Sequence, residues 1–526
     1  MRADVVFVNG TVWSGHGFAD SVAVRAGEVV AVGGVHDAGT AVDLEGGFLM
    51  PAFGDGHAHP VFGGLEAYGP RVGAARSVQD VVQAVREYAV ARPDVEWIVG
   101  GGYDPTLVPD GRFDARWLDR AVADRPVVLR ASDYHTVWCN SEAMRRAGLG
   151  PDTPEPAIGR VHRHDDGRPL GTLVEWQACD LVLDLVPPRA PSTVVSAVRE
   201  AGRRFAAAGV TWVQDAWVDP GDGLVEAYAE VASGGPAVRV SLAFRADPAH
   251  WRDQAAVFAA EREKVDGDLV RASTVKFFAD GVVEAGTAAL LAPYEDDRHD
   301  HGMQVWRPDA LAEAVAFFDA AGFQAHVHAI GDAGVRAALD AVEHTARVNG
   351  PRDRRPVVAH VQLVDPADLG RFAELGVIAN FEPLWAQLDA AQEVLTLPRL
   401  GPGRGLAQYP MGSVLRSGAR ISFGSDWPVT SLVPFEGVRT AVTRQTPDGR
   451  PSGGWVPAER LDVADALRAY TQGSAYQAFA ETRRGTLAVG NDADLVWLDR
   501  NPFTVPPADL AGVRVLGTWL AGRRTW

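Results

Sequence analysis

Only two cysteines, Cys139 and Cys179, occur in 526 residues, and they do not form a Cys-x-x-Cys pair. This argues against a disulfide framework and against a cysteine-held zinc site, so any metal has to be held by histidine and oxygen. No run of about 18 uninterrupted apolar residues is present, and none is expected to cross a membrane. Positive charge is scarce: 50 Lys and Arg against 68 Asp and Glu leave a formal charge of -18. Phosphate backbones and anionic lipids need clustered cations, so nucleic acid and membrane are excluded as main partners. Lysine is the scarcest basic residue, with Lys264 and Lys276 alone among arginines. Lys264 stands in "EREKVDG", which reads as a solvated helix face. Lys276 stands in "STVKFFADG", among β-branched and aromatic residues. The opening "MRADVVFVNGTVW" lacks an apolar core of signal-peptide length, and a cytoplasmic location is the default expectation.

What is present describes a soluble globular chain, 47% apolar and 22% charged. A prior of about 150 residues per domain allows three or four units, although α/β barrels routinely exceed it as one. Residues 4 to 50 read as short strands with turns, and "GTLAVGNDADLVWLD" and "VRVLGTWLAGRRTW" repeat that style at the far end. A composite β-sandwich built from residues 1–50 and 484–526 is expected. Between them, helix, glycine and strand recur, as in "PSTVVSAVREAGRRFAAAG" before "VTWVQDAW" and "DALAEAVAFFDAAG" before "FQAHVHAIGD". That alternation predicts a parallel sheet, and its spacing over 51–483 fits a (β/α)8 TIM-like barrel. A doubly wound sheet is the alternative, but no Gly-x-Gly-x-x-Gly opens its first unit. An insertion of about residues 65–195, rich in Gly, Pro and Asp, is read as loops and short elements over the barrel mouth.

In such a barrel the reactive residues belong at the C-terminal strand ends. "PAFGDGHAHP" places His57 and His59 two residues apart, on one face of a strand. Lys276 follows in "TVKFFADG", His326, His328 and Asp332 in "FQAHVHAIGD", His360 in "PVVAHVQ" and Asp426 in "RISFGSD". Each has a plainer reading alone: His360 as a core histidine, Asp426 as a cap, Lys276 as a buried cation paired with Asp280. His326 lies one inward step deeper than His328 and is assigned to support. Independent accidents at successive strand ends are improbable together, and imidazole with carboxylate suits divalent zinc or a similar first-row metal.

The motifs "GDGHAHP", "ASDYHTVWCNSEAMRRAG", "VKFFADGVVEAGTAALLAPY", "HVHAIGDAG", "GSDWPV", "PFEGVRTAVTR" and "ALRAYTQGSAYQAFAETRRGTLAVGNDADLVWLD", in this order, resemble the metal-dependent amidohydrolase superfamily. The resemblance is to the amidohydrolase family 3 branch that includes N-substituted formamide deformylases. It implies a barrel with a terminal β-sandwich. It also implies that His57, His59 and Asp426 hold one metal and His328 and His360 a second, bridged by Lys276 carboxylated on its amine. A buried neutral lysine can add carbon dioxide to become an anionic ligand, which arginine cannot. Two departures, Tyr103 in "GGGYDP" where the family often has tryptophan, and "PEPAIGR" in place of a glycine-rich turn, fall in what is read as the substrate-facing region.

The reaction so implied is hydrolysis of a carbon–nitrogen bond in an amide, N-substituted formamide or cyclic amide, with Asp426 as base and then acid. One or two divalent ions, zinc foremost, are expected as cofactors, because a metal-bound water has its pKa lowered toward about 7. His135, Trp138 and Trp385 are expected to line a pocket for an apolar or aromatic substituent, with ordinary core packing as the alternative. A non-hydrolytic lyase or isomerase on the same ligands, or an inactive scaffold, are the rival functions. The oligomeric state is left open, a homodimer being one candidate.

Overall fold

The structure, a computed structural model, describes residues 2–526. Its centre is an eight-stranded parallel sheet in sequential order: β1 (Phe53–Ala58), β2 (Val210–Val218), β3 (Arg239–Arg245), β4 (Val270–Phe278), β5 (Gln324–Ala329), β6 (Val357–His360), β7 (Ile378–Phe381) and β8 (Arg420–Phe423). The strands are rich in Val, Phe and Ala and are buried on both faces, as parallel strands covered by helices must be. Hydrogen bonding at the mouth draws the two edges together. The carbonyl of His57 accepts the N–H groups of Ser425 and Asp426, at 3.2 and 2.7 Å. The buried Asp55 carboxylate takes the Ser425 N–H at 3.0 Å and its hydroxyl at 2.5 Å. A Cβ at Gly424 would stand 2.7 Å from the His57 nitrogen, so only glycine allows this approach. The sheet is thus a nearly closed (β/α)8 TIM-like barrel.

The helices follow the periodicity. Pro191–Ala207 buries Val194, Val195, Val198, Ala201 and Phe205, one face of a 3.6-residue repeat, and Gly209 in the left-handed region turns the chain into β2. Between β1 and β2 the chain makes more than loops. Five strands pair in the order Arg160–Arg163, Pro169–Val174, Thr136–Cys139, Val127–Ala131, Ile98–Tyr103, with helix Val78–Ala91 packed on them. Val81, Val85, Ile98, Phe113, Leu129 and Trp138 give this insertion a core of its own. The short elements expected here pair into a sheet with its own core, and because the strands are brief and separated by irregular connections their pairing has no local signature.

Two further sheets flank the barrel. One has four strands, in the order Glu28–Val32, Val22–Arg25, Ala3–Val8, Ala38–Asp43; the other has six and takes strands from both ends of the chain, among them Phe48–Pro51, Leu495–Leu498 and Val515–Leu520. Phe7, Val24, Leu49, Leu495 and Trp519 form a shared core between them. Arg239, at the start of β3, ties this region to the barrel through Asp494 at 2.6 Å and Asp492 at 3.1 Å, and meets Asp268 of the barrel at 3.0 Å. Among the described residues, no helix is long and apolar enough to cross a membrane.

Candidate metal centre

The ends of five barrel strands bring imidazoles, an amine and a carboxylate to one place. His57 Nε2 lies 3.3 Å from Lys276 Nζ and 3.5 Å from Asp426 Oδ1, and His59 Nε2 lies 2.9 Å from that same oxygen. The His57 ring centroid is 4.7 Å from that of His360, which is 4.5 Å from that of His328. Ligand atoms of His57, His360 and Asp426 come within 4.8 Å of one another. These three span both groups of ligands that the family resemblance implies, so the donors form one continuous cluster.

Three of the rings have one nitrogen occupied and the other left for the centre. His57 Nδ1 is 2.8 Å from His326 Nε2, His360 Nδ1 is 2.8 Å from Glu382 Oε2, and His328 Nε2 is 3.0 Å from the Gly281 carbonyl. Such outer contacts fix ring orientation and tautomer for metal binding. The buried His59 Nδ1 has no partner among the described residues. Burial is the main reason that the imidazoles of His57, His328 and His360 protonate only well below the usual range, with the nearby Lys276 adding to it. Neutral rings offer lone pairs, and neutral nitrogen donors with a carboxylate are a set that suits a divalent first-row metal.

Lys276 is 1% exposed, and burial lowers its amine to about 7 against the pull of Asp426, Glu382 and Asp215. The suggested partner Asp280 is engaged elsewhere, accepting the N–H groups of Ile330, Gly331 and Ala289 at 2.8 to 3.0 Å. Burial opposes ionisation of Asp426, but His59, His360 and Lys276 more than offset it and hold its carboxyl below the ordinary value. His360 and Asp426 have φ of 76° and 52°, a region non-glycine residues enter rarely and chiefly at functional sites.

A cavity of about 140 Å³ leads to His328, His360 and Asp426. His135 and Trp385 line it; the indole stacks on His360 with centroids 5.2 Å apart. Burial disfavours the His135 cation, but Glu175 at 2.8 Å outweighs it and raises the ring to about 9. Trp138 does not line the cavity. It is 0% exposed in the core of the insertion, donating to the Asp114 carbonyl at 3.1 Å. Residues three apart in an extended segment face opposite sides, so His135 and Trp138 cannot share a wall. Tyr103 packs beside Trp138, with centroids 5.7 Å apart, and its departure from the family pattern alters that core and not the cavity wall. Asp332 also lies elsewhere, accepting the Leu291 N–H at 2.9 Å. A larger groove, about 1060 Å³ between residues 67–99 and 186–193, contains none of these histidines.

Several supporting residues escaped the sequence reading. Glu382 had a usable signal, a carboxylate directly after the strand in "VIANFEP". Glu175, which takes both His135 and the Thr287 hydroxyl, had none, because its strand belongs to the insertion.

A sequence model described as "Amidohydrolase family" matches residues 40–525. Protein LONG AFTER FAR-RED 3 of Arabidopsis thaliana is 30% identical, over 100% of this chain and 92% of its own length. The N-substituted formamide deformylase of Arthrobacter pascens is 25% identical, over 99% and 97%. Among solved structures, an uncharacterized metal-dependent hydrolase from Pyrococcus furiosus superposes with a TM-score of 0.72 at 24% identity, covering 95% of this chain and 100% of the other, a likeness of fold.

Proposed function

Because the chain belongs to the amidohydrolase family, we propose that it is a metal-dependent hydrolase of a non-peptide carbon–nitrogen bond, in an amide, N-substituted formamide or cyclic amide. The observation that carries this reading is the convergence of neutral His57, His59, His328 and His360 with Lys276 and Asp426 at one barrel mouth. The relative named for formamide deformylation supports the choice of bond.

We assign His57, His59, His328, His360, Asp426 and a carboxylated Lys276 as the residues that hold one or two divalent ions, zinc foremost. When bound, such an ion lowers the pKa of a coordinated water and polarises a carbonyl. Asp426, ionised and steadied by His59 at 2.9 Å, takes a proton from the attacking water. The carbon–nitrogen bond then breaks, and Asp426 returns that proton to the departing nitrogen, leaving a carboxylic acid and an amine. Lys276 reaches its carbamate when the neutral amine adds to carbon dioxide and loses a proton. The amine's burial and its place 3.3 Å from His57 Nε2 support that step. His135 and Trp385 are assigned to the substrate, on the wall of the cavity. Retention of every one of these side chains favours catalysis over a scaffold role.

The test is a screen of zinc-loaded protein against formamides, N-acyl amines and cyclic amides, read as released amine. Activity should disappear with a chelator and return with zinc, manganese or cobalt. Asp426→Asn should lower kcat by about 100-fold or more, the scale of lost acid–base catalysis. Turnover by metal-free protein, or products without a released amine or an opened ring, would reject this reading.

A further inference from the structure

The cavity beside the proposed centre carries a charge that the hydrolytic chemistry does not use. Besides Asp426, four part-buried carboxylates line it, Asp104, Asp133, Glu284 and Asp389, and no lysine or arginine does among the described residues. An adjoining polar cavity of about 270 Å³ shares Asp133 and Glu284, but its arginines face other carboxylates: Arg399 meets Asp296 at 3.0 Å, Arg112 meets Asp110 at 3.7 Å and Arg160 meets Asp300 at 3.7 Å. His135, the cationic ring on the wall, is bonded to Glu175 and also faces Asp133, leaving Asp104, Glu284 and Asp389 without it. Local bonds hold the four in place without neutralising them. Asp104 accepts from Thr106, Asp133 from the N–H groups of His135 and Thr136, Glu284 from the Thr396 hydroxyl at 2.7 Å, and Asp389 from the Gln392 N–H at 3.1 Å.

A second observation is independent of these charges. Gln392 lines the same cavity and is only 3% exposed; its Nε2 reaches the Tyr409 hydroxyl at 3.4 Å, while its buried Oε1 has no donor. Ionised carboxylates also only accept, so the carboxylate side of this wall has acceptors to offer a bound cation. Burial, with Glu284 and Asp104 adding to it, pushes the Asp389 carboxyl up to about 6, a cost that a bound cation relieves. Trp385 and Tyr409 contribute aromatic surface, and aromatic faces attract cations. Val282, Ile330 and Val429 supply an apolar stretch for a hydrocarbon link.

Building on the amide-hydrolase reading, we propose that the substrate bears an alkylammonium or guanidinium group, a short hydrocarbon chain away from the scissile bond, received by Asp104, Asp133, Glu284 and Asp389. On this proposal the apolar or aromatic substituent expected from the sequence carries a cationic head group as well.

Three amides of matched length test this on the metal-loaded protein: mono-N-acetylated diaminobutane, N-acetylpentylamine and N-acetylaminopentanoate. They end in ammonium, methyl and carboxylate. The ammonium amide should exceed the methyl one in kcat/KM by about tenfold or more, a difference of ~1.4 kcal/mol, and the carboxylate should be poorest. Glu284→Gln and Asp389→Asn, checked for an unchanged melting temperature, should each shrink the ammonium-to-methyl ratio several-fold. A calorimetric arm uses diaminobutane, pentanol and pentanoate as probes, with diaminobutane expected to bind tightest and to weaken in salt. Equal or reversed preference in either arm overturns the proposal. If none of the three is turned over, the screen against formamides and cyclic amides decides the hydrolytic reading, and the calorimetric ranking alone decides the cation site.

Discussion

Lys276 shows how burial turns an ordinary side chain into a reagent. A lysine kept as a cation would need a close carboxylate. Instead its Nζ lies beside His57 Nε2, and burial lowers the amine to about 7. The two roles predict opposite results. If charge alone matters, Lys276→Arg keeps much of the activity. For a carbamate, Lys276→Arg should lose about 100-fold or more in kcat, because guanidinium cannot be carboxylated and repels bound dications at short range. Lys276→Ala should fail as well, with part of the rate restored by added acetate, propionate or bicarbonate. Rates and metal content measured together decide it, and an active arginine variant ends the carbamate assignment.

At the scale of elements, the strand end is the working unit. Five barrel strands deliver a side chain at or near their C-terminal ends, and the loop that follows a strand can reach back. Glu382 does this after β7, accepting from His360 on β6 at 2.8 Å. It touches no substrate in this reading and acts through His360, as a positioning residue. Glu382→Ala should weaken metal affinity about 10–100-fold, the usual effect of losing such a partner. Glu382→Gln keeps an acceptor and should lose less. Metal titration with a competing chelator measures both, and unchanged affinity in the alanine variant would reduce Glu382 to packing. The strand-end rule made Lys276, His328, His360 and Asp426 legible as candidates. It gave no help with Trp138, because the insertion's strands have their own sheet and their own inside.

For the molecule as a whole, the join between barrel and flanking sheets rests on a buried charge cluster. Arg239 is 2% exposed and meets Asp492 and Asp494, more than 250 residues away in sequence. Removing Arg239 takes from the buried Asp494 its ion pair, a loss of about 3 kcal/mol on the scale of broken buried pairs, whereas Asp492 keeps Arg483 and Arg484. Arg239→Ala should therefore lower the unfolding free energy of the full chain by that order, read by denaturant titration, with the metal ligands untouched. A change under about 1 kcal/mol would show that the sheets are held by their apolar core alone.

Periodicity and residue type determined the barrel, the strand-end histidines, Lys276 and Asp426, because side-chain direction along a strand and the position of its end are local properties. The tertiary structure alone decided which of them meet: that His57 leans on His326, that Asp280 serves backbone N–H groups and not Lys276, and that Trp138 faces away from the cavity. It also gathered Asp104, Asp133, Glu284 and Asp389 from four separate loops onto one wall. Each of those carboxylates reads as an ordinary loop residue along the chain. Their shared field exists only where the loops converge, since charges interact through distance in space and not through separation in sequence.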